Sequence, residues 1–203
     1  MTRPSRAFTV FIGAASALAL SGTPSAQDGS DSDRRGPVTG VVRLDGRPQK
    51  EVVLWLSGID APAPPPSRVV LDQRNLTFTP RILVVQTGTR VDMPNSDRVF
   101  HNVFSFKDGK RFDLGVYPAG HSRSVLFDRP GVSRLFCNIH PDMAAYIVAV
   151  DSPFHAVSDA AGRFTLPPLP PGRHVVHAWR AGHDEVTGTL VVTGDEPVSL
   201  DLR

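Results

Sequence analysis

Nineteen prolines and 17 glycines are spread along these 203 residues, not gathered in one segment. Proline inside a helix removes an N–H and clashes with the preceding turn, and glycine there costs about 1 kcal/mol relative to alanine. Few windows are left for a long helix. Between the breakers the chain runs in apolar stretches of four to eight residues: 38–44, 51–56, 68–71, 81–86, 90–93, 99–106, 122–127, 131–136, 145–150, 173–179 and 187–192. Valine, phenylalanine and leucine dominate them, and turn pairs such as Asp45-Gly46, Asp108-Gly109 and Pro171-Gly172 separate them. Short strands at this spacing, with no 3.6-residue period, predict an all-β chain of the sandwich type. Several stretches are apolar on both faces, so alternation does not say which side meets the core.

Apolar residues make up 40% of the chain, enough for a packed core. Lys plus Arg is 22 against 20 for Asp plus Glu. Arg3 and Arg6 fall in an opening stretch expected to be removed, so the remainder is close to neutral. A phosphate-binding chain needs a basic surplus, which argues against nucleic acid as a partner. Residues 1–26 read as an export signal: two arginines, an apolar run over 7–20 and a small-residue stretch over 21–26. Fourteen apolar residues are too few to span a bilayer, which needs about 20. The expected location is therefore periplasmic or secreted, with no membrane span after processing. Residues 27–36 read as a disordered linker, and 61–67 (APAPPPS) as a second linker, because proline cannot donate to a sheet ladder.

Cysteine occurs once, which excludes an intrachain disulfide and a four-cysteine zinc site. That cysteine carries the strongest chemical signal. In FCNIHPDMAAYIVAV (136–150), Cys137, His140 and Met143 are spaced three apart between two apolar runs. Pro141 opposes a helix, so the trio is placed on a loop between strands. Thiolate and thioether are soft ligands and imidazole is intermediate, which suits copper better than calcium or magnesium. Two histidines and a cysteine with a weak axial methionine is the blue-copper set, so one more histidine is needed. His101, inside the apolar stretch VFHNVFSF, is the candidate. Met93 reads as core. His174 and His177, three apart in a strand, point to opposite faces. With His121, His155 and His183 they read as surface or structural residues. No Ser-His-Asp order, phosphate loop or paired carboxylate stands out.

At these residues a resemblance can be stated. The run 80–106 (PRILVVQTGTRVDMPNSDRVFHNVFSF), followed by the Cys-His-Met loop, resembles the cupredoxin family. The short loop with proline after the histidine is most like amicyanin, and the whole chain is similar to bacterial proteins labelled methylamine-utilisation or plastocyanin-like. The resemblance covers about 75–150. It implies one type 1 copper bound by His101, Cys137, His140 and Met143. It also implies a supporting role for Asn102, at the position whose main-chain N–H meets the cysteine sulfur in the family. Phe136 fills the aromatic place before the cysteine, while Pro141 and Asp142 stand where relatives put an aromatic. The implied partner is a redox protein such as a c-type cytochrome or a periplasmic dehydrogenase.

A second resemblance organises the rest. Residues 37–58 resemble the opening of the carboxypeptidase-regulatory-like, or transthyretin-like, sandwich. That family's next signature stands about a hundred residues later, as SDAAGRFTLPPLPPGRH (158–174). The expected fold is all-β, a cupredoxin Greek-key β-sandwich over 68–152 inserted in a smaller transthyretin-like β-sandwich split between 37–58 and 155–203. The alternative is two sandwiches in series, with 37–58 belonging to the copper domain. The expected function is single-electron transfer between redox partners, with no enzymatic activity. Copper storage or delivery is the first alternative, and a glycan- or protein-binding module without metal is the second.

Overall fold

The computed structural model describes residues 7–8, 36–59, 67–106, 108–193 and 197–202. Every regular element among them is a strand. The first four are β1 (Ala7–Phe8), β2 (Pro37–Leu44), β3 (Arg47–Pro48) and β4 (Val53–Ser57). Next come β5 (Arg68–Val70), β6 (Asp72–Arg74), β7 (Thr77–Thr79), β8 (Ile82–Gln86) and β9 (Thr89–Pro94). They are followed by β10 (His101–Ser105), β11 (Phe112–Tyr117), β12 (Ser122–Phe127), β13 (Gly131–Phe136) and β14 (Ala144–Val150). The chain ends in β15 (His155–Val157), β16 (Arg163–Pro168), β17 (Gly172–Trp179), β18 (Val186–Val192) and β19 (Val198–Leu202). Nearly all of the stretch read as an export signal, residues 27–35 of the linker read over 27–36, and residues 61–66 of the one read over 61–67 lie outside the described residues. Ala7–Phe8 is described, and it runs parallel to β18.

The described residues form four principal sheets. One has the order β1-β18-β17-β4-β15 and a second β16-β2-β19, with β3 paired to β2. They enclose an apolar layer that includes Val42, Leu54, Leu56, Phe164, Val176, Leu190 and Leu200. The third sheet is β11-β10-β13-β14-β8 and the fourth β12-β9-β5. A second apolar layer between them contains Val91, Met93, Val103, Phe127, Leu135 and Ile147. Strands β2 and β4 thus pair with β15, β16, β17 and β19, across about a hundred intervening residues.

The two sandwiches meet through a third apolar layer. Val53, Ile82, Val148, Val150 and Trp179 are buried there, with Trp55, Val84, Val132, Tyr146 and Val157 against them. Side chains alternate along a strand, so each seam strand serves two cores. In β14, Ala145, Ile147 and Ala149 face one core while Val148 and Val150 face the seam. In β4, Leu54 and Leu56 face inward while Val53 and Trp55 face the seam. This explains the stretches that are apolar on both faces. The Tyr146 and Trp179 rings meet edge to face at 5.3 Å, worth about 0.5–1.5 kcal/mol beyond their burial. Arg81 also bridges the sandwiches to Glu51 at 2.6 Å, but an ion pair this exposed contributes at most about 1 kcal/mol.

Two departures from the sequence reading have local causes. β11 contains Gly115 at φ 62, and its ladder with β10 shifts register between Asn102 and Phe104. A glycine at an irregularity of this kind masks a strand in the sequence. β16 ends in Pro167-Pro168, which a central strand would not tolerate. It lies at the edge of its sheet, where missing donors cost nothing.

Candidate metal centre

Register brings the distant histidine to the cysteine loop. β10 and β13 are antiparallel neighbours with Phe104 opposite Phe136. Continuing that ladder past the end of β13 sets His101, the first residue of β10, beside the loop 137–143 that leads into β14. Cys137 Sγ lies 3.9 Å from His101 Nδ1 and 3.8 Å from His140 Nδ1. The two Nδ1 atoms are 3.0 Å apart. Among the described residues these three form the group of His, Cys, Asp and Glu side chains able to hold a metal ion. His101 and Cys137 are buried, while His140 is partly exposed.

The orientation of His101 is fixed from behind. Its Nε2 is 2.8 Å from Asp97 Oδ2. An ionised carboxylate only accepts, so Nε2 carries the proton and Nδ1 presents its lone pair to the cysteine and His140. Asp97 is itself held by the turn between β6 and β7. The Asn75 N–H donates to Oδ1 at 2.6 Å and the Leu76 N–H to Oδ2 at 3.0 Å. Burial raises the Asp97 pKa, but the hydrogen bonds from Leu76, His101 and Asn75 outweigh it and hold the carboxyl below its ordinary value. Asn75 and Leu76 both adopt positive φ, 55° and 57°. Left-handed backbone is unfavourable for leucine, and the Asp97 carboxylate meets both turn amides. The sequence reading gave Asp97 no role. A carboxylate four residues before a candidate ligand was the available signal.

The donor set fits a soft metal. Metal bonds of about 2.0 Å to imidazole nitrogen and about 2.3 Å to thiolate sulfur, typical of such ligands, exceed half of each separation, so one ion can reach all three atoms. Met143 is fully buried in the same core layer as Cys137, and its N–H donates to the His140 carbonyl at 3.0 Å. Asn102 acts through its side chain: its Oδ1 accepts from the Asn138 N–H at 2.7 Å. That contact ties β10 to the loop directly after the cysteine. Phe136 stacks with Phe104 at 5.7 Å and with Phe106 at 5.6 Å. Met93 is core, as read. His121 and His174 contact nearby carbonyls, of Ala119 and Pro170. Burial lowers the His155 pKa.

Tyr117, opposite His101 in the ladder, gives the site an alkaline signature. Burial raises its pKa to about 12, with a smaller raising contribution from the Cys137 charge; the Gln73 hydrogen bond and Arg123 act in the opposite sense. Its hydroxyl donates to the Met93 carbonyl at 2.9 Å and accepts from Gln73 Nε2. The folded pKa lies above the unfolded one, so the stabilisation is complete below pH about 10 and is lost as pH rises through about 12. At about 1.4 kcal/mol per pH unit this amounts to roughly 3 kcal/mol. Tyr117→Phe should destabilise at neutral pH by about 1–3 kcal/mol, since two buried groups lose their partner. It should also flatten the fall in denaturation midpoint between pH 9 and 12; an unchanged alkaline slope would contradict the assignment.

Together, the fold and the site define an all-β protein with a mostly buried Cys–His–His donor cluster at one end of a sandwich. No family model matches the chain, and no curated protein does. Solved structures do. A Cu-containing nitrite reductase from Thermus scotoductus is similar over 46% of this chain, at 24% identity and a TM-score of 0.39. The match spans only 24% of the nitrite reductase chain. A purple cupredoxin from Nitrosopumilus maritimus is similar over 41% of this chain and 99% of its own, at 22% identity and a TM-score of 0.36. The oxidised P94A mutant of amicyanin is similar over 41% of this chain and 82% of its own, at 21% identity and a TM-score of 0.39.

Proposed function

We propose that this chain is an exported type 1 copper protein that carries single electrons between redox partners. The observation that carries the reading is the convergence of Cys137 Sγ and the two Nδ1 atoms, within 3.9 Å of one another, with Cys137 and His101 buried and His140 partly exposed. Bound there, copper supplies reversible one-electron chemistry. Cys137 would hold it as the thiolate. Asp97 keeps His101 in the tautomer that offers Nδ1. Asn102 holds the loop against β10, so the donors stay in place whichever charge the site carries. Met143, buried in the same core layer as Cys137, is the proposed fourth residue that would hold the metal. His140, partly exposed, is the proposed exit for the electron, with Ile139 exposed directly before it and Val99 and Phe100 exposed directly before His101. Such apolar residues suit a brief encounter with a redox protein, a c-type cytochrome or a periplasmic dehydrogenase.

The burial of His101, Cys137 and Met143 favours carriage over delivery, since a protein that hands over its metal needs exposed donors. We assign no bond-making reaction to this centre. The sandwich made from 37–58 and 155–203 is proposed as a transthyretin-like unit into which the copper domain, 68–152, is inserted. Voltammetry of the Cu-loaded protein tests the function. A single reversible one-electron wave with rapid exchange supports a carrier; release of the metal on reduction would contradict it and favour delivery.

A further inference from the structure

The sheet that bears β4 and β17 holds a second group of polar side chains, remote in role from the donor cluster. β4 and β17 pair with Trp55 opposite His177 and Ser57 opposite Val175. Ser57 Oγ lies 2.7 Å from His177 Nε2. On the other side of the same ring, Nδ1 lies 2.8 Å from Glu185 Oε1. A carboxylate only accepts, so Nδ1 carries the proton, and Nε2 is left to accept from the Ser57 hydroxyl. The Trp55 ring lies parallel to the imidazole, at 5.0 Å and 9°, and fixes its plane. A hydroxyl on a base, with the base oriented by a third group, is the arrangement that activates a nucleophile.

The surroundings leave room for a substrate. Ser57 is exposed, and the His177 side chain is 19% exposed. Val175, directly opposite Ser57, is 49% exposed and apolar. Gly58 follows at φ +73, with nothing within 4 Å of where a Cβ would stand, so a carbonyl group can come close to the main chain beside the hydroxyl. Val175 and the face of Trp55 suit a short apolar acyl chain.

We propose that Ser57, His177 and Glu185 form a hydrolytic site for small esters of short apolar acids, independent of the copper reading. Ser57 Oγ attacks the ester carbonyl carbon while its proton passes to His177 Nε2. The tetrahedral adduct collapses, the bond from carbon to the alcohol oxygen breaks, and the alcohol leaves with the proton from His177. Water then attacks the acyl carbon and gives a proton to His177. The acyl–Ser57 bond breaks, the carboxylic acid departs, and the proton returns to Ser57 Oγ. Glu185 positions the ring and offsets its charge in both steps.

The test uses the full chain, without added metal, and two probes. A fluorophosphonate, which labels activated serines, should add to Ser57 and be found there by peptide mass spectrometry. p-Nitrophenyl butyrate should be hydrolysed, with Ser57→Ala and His177→Ala each lowering the rate ~100-fold or more. Glu185→Gln should lower kcat and leave KM unchanged, because the ring loses the carboxylate that orients it while the acyl pocket stays intact. Absence of a Ser57 adduct on the wild-type protein would overturn the proposal, whatever the variants do. Hydrolysis by a folded Ser57→Ala variant at the wild-type rate would overturn it as well.

Discussion

Cys137→Ser is expected to leave a folded protein that no longer shows intense visible absorption with Cu(II). The side chain is buried and the two residues differ by one atom of similar size, so the core layer around Met93, Leu135 and Ile147 keeps its packing. The chemistry changes completely. A thiol gives up its proton to a metal and a serine hydroxyl does not, so the strongest of the three donors is lost. Loss of a neighbour that merely supports a ligand typically costs 10–100-fold in metal affinity, and loss of the ligand itself should exceed ~100-fold. Far-ultraviolet circular dichroism checks the fold, and copper titration with an optical readout checks the site. A variant that kept the intense band would show that Cys137 was misassigned.

Trp179→Ala should uncouple the two sandwiches. Trp179 is 9% exposed and lies at the centre of the seam, edge to face with Tyr146. Removing a buried tryptophan typically costs about 3–5 kcal/mol. Here the loss falls on the layer that both sandwiches share, not on either internal core. Calorimetry should therefore replace one cooperative transition with two. The sandwich that holds β4 and β17 should melt first, because it loses packing on a strand that also lines its own core. A single transition lowered by less than 1 kcal/mol would show that the seam is not a shared core.

The sequence revealed the strands better than their partners. β12 and β13 coincide with the apolar stretches read over 122–127 and 131–136, since each is bounded by proline, glycine or polar residues. β6 and β7 were not seen, because three-residue strands such as Asp72–Arg74 carry no period. β19 was missed because Val198–Leu202 alternates over too few residues to stand out. Within the site, the spacing of Cys137, His140 and Met143 was explicit because all three lie on one loop. His101 was identified because an imidazole in an apolar stretch needs a purpose. Asp97 became visible only when the β6–β7 turn was seen folded against it, a contact between segments about twenty residues apart. Ser57, His177 and Glu185 lie on three separate segments, and only the pairing of β4 with β17 brings the first two together.

The central claim is that one copper is held jointly by Cys137, His101 and His140. X-ray absorption at the copper edge of the metal-loaded wild-type protein measures that coordination shell directly. One short copper–sulfur distance is expected together with two copper–nitrogen distances of imidazole character, at one copper per chain, in both oxidation states. A shell of nitrogen and oxygen alone, with no short sulfur contribution, would contradict it.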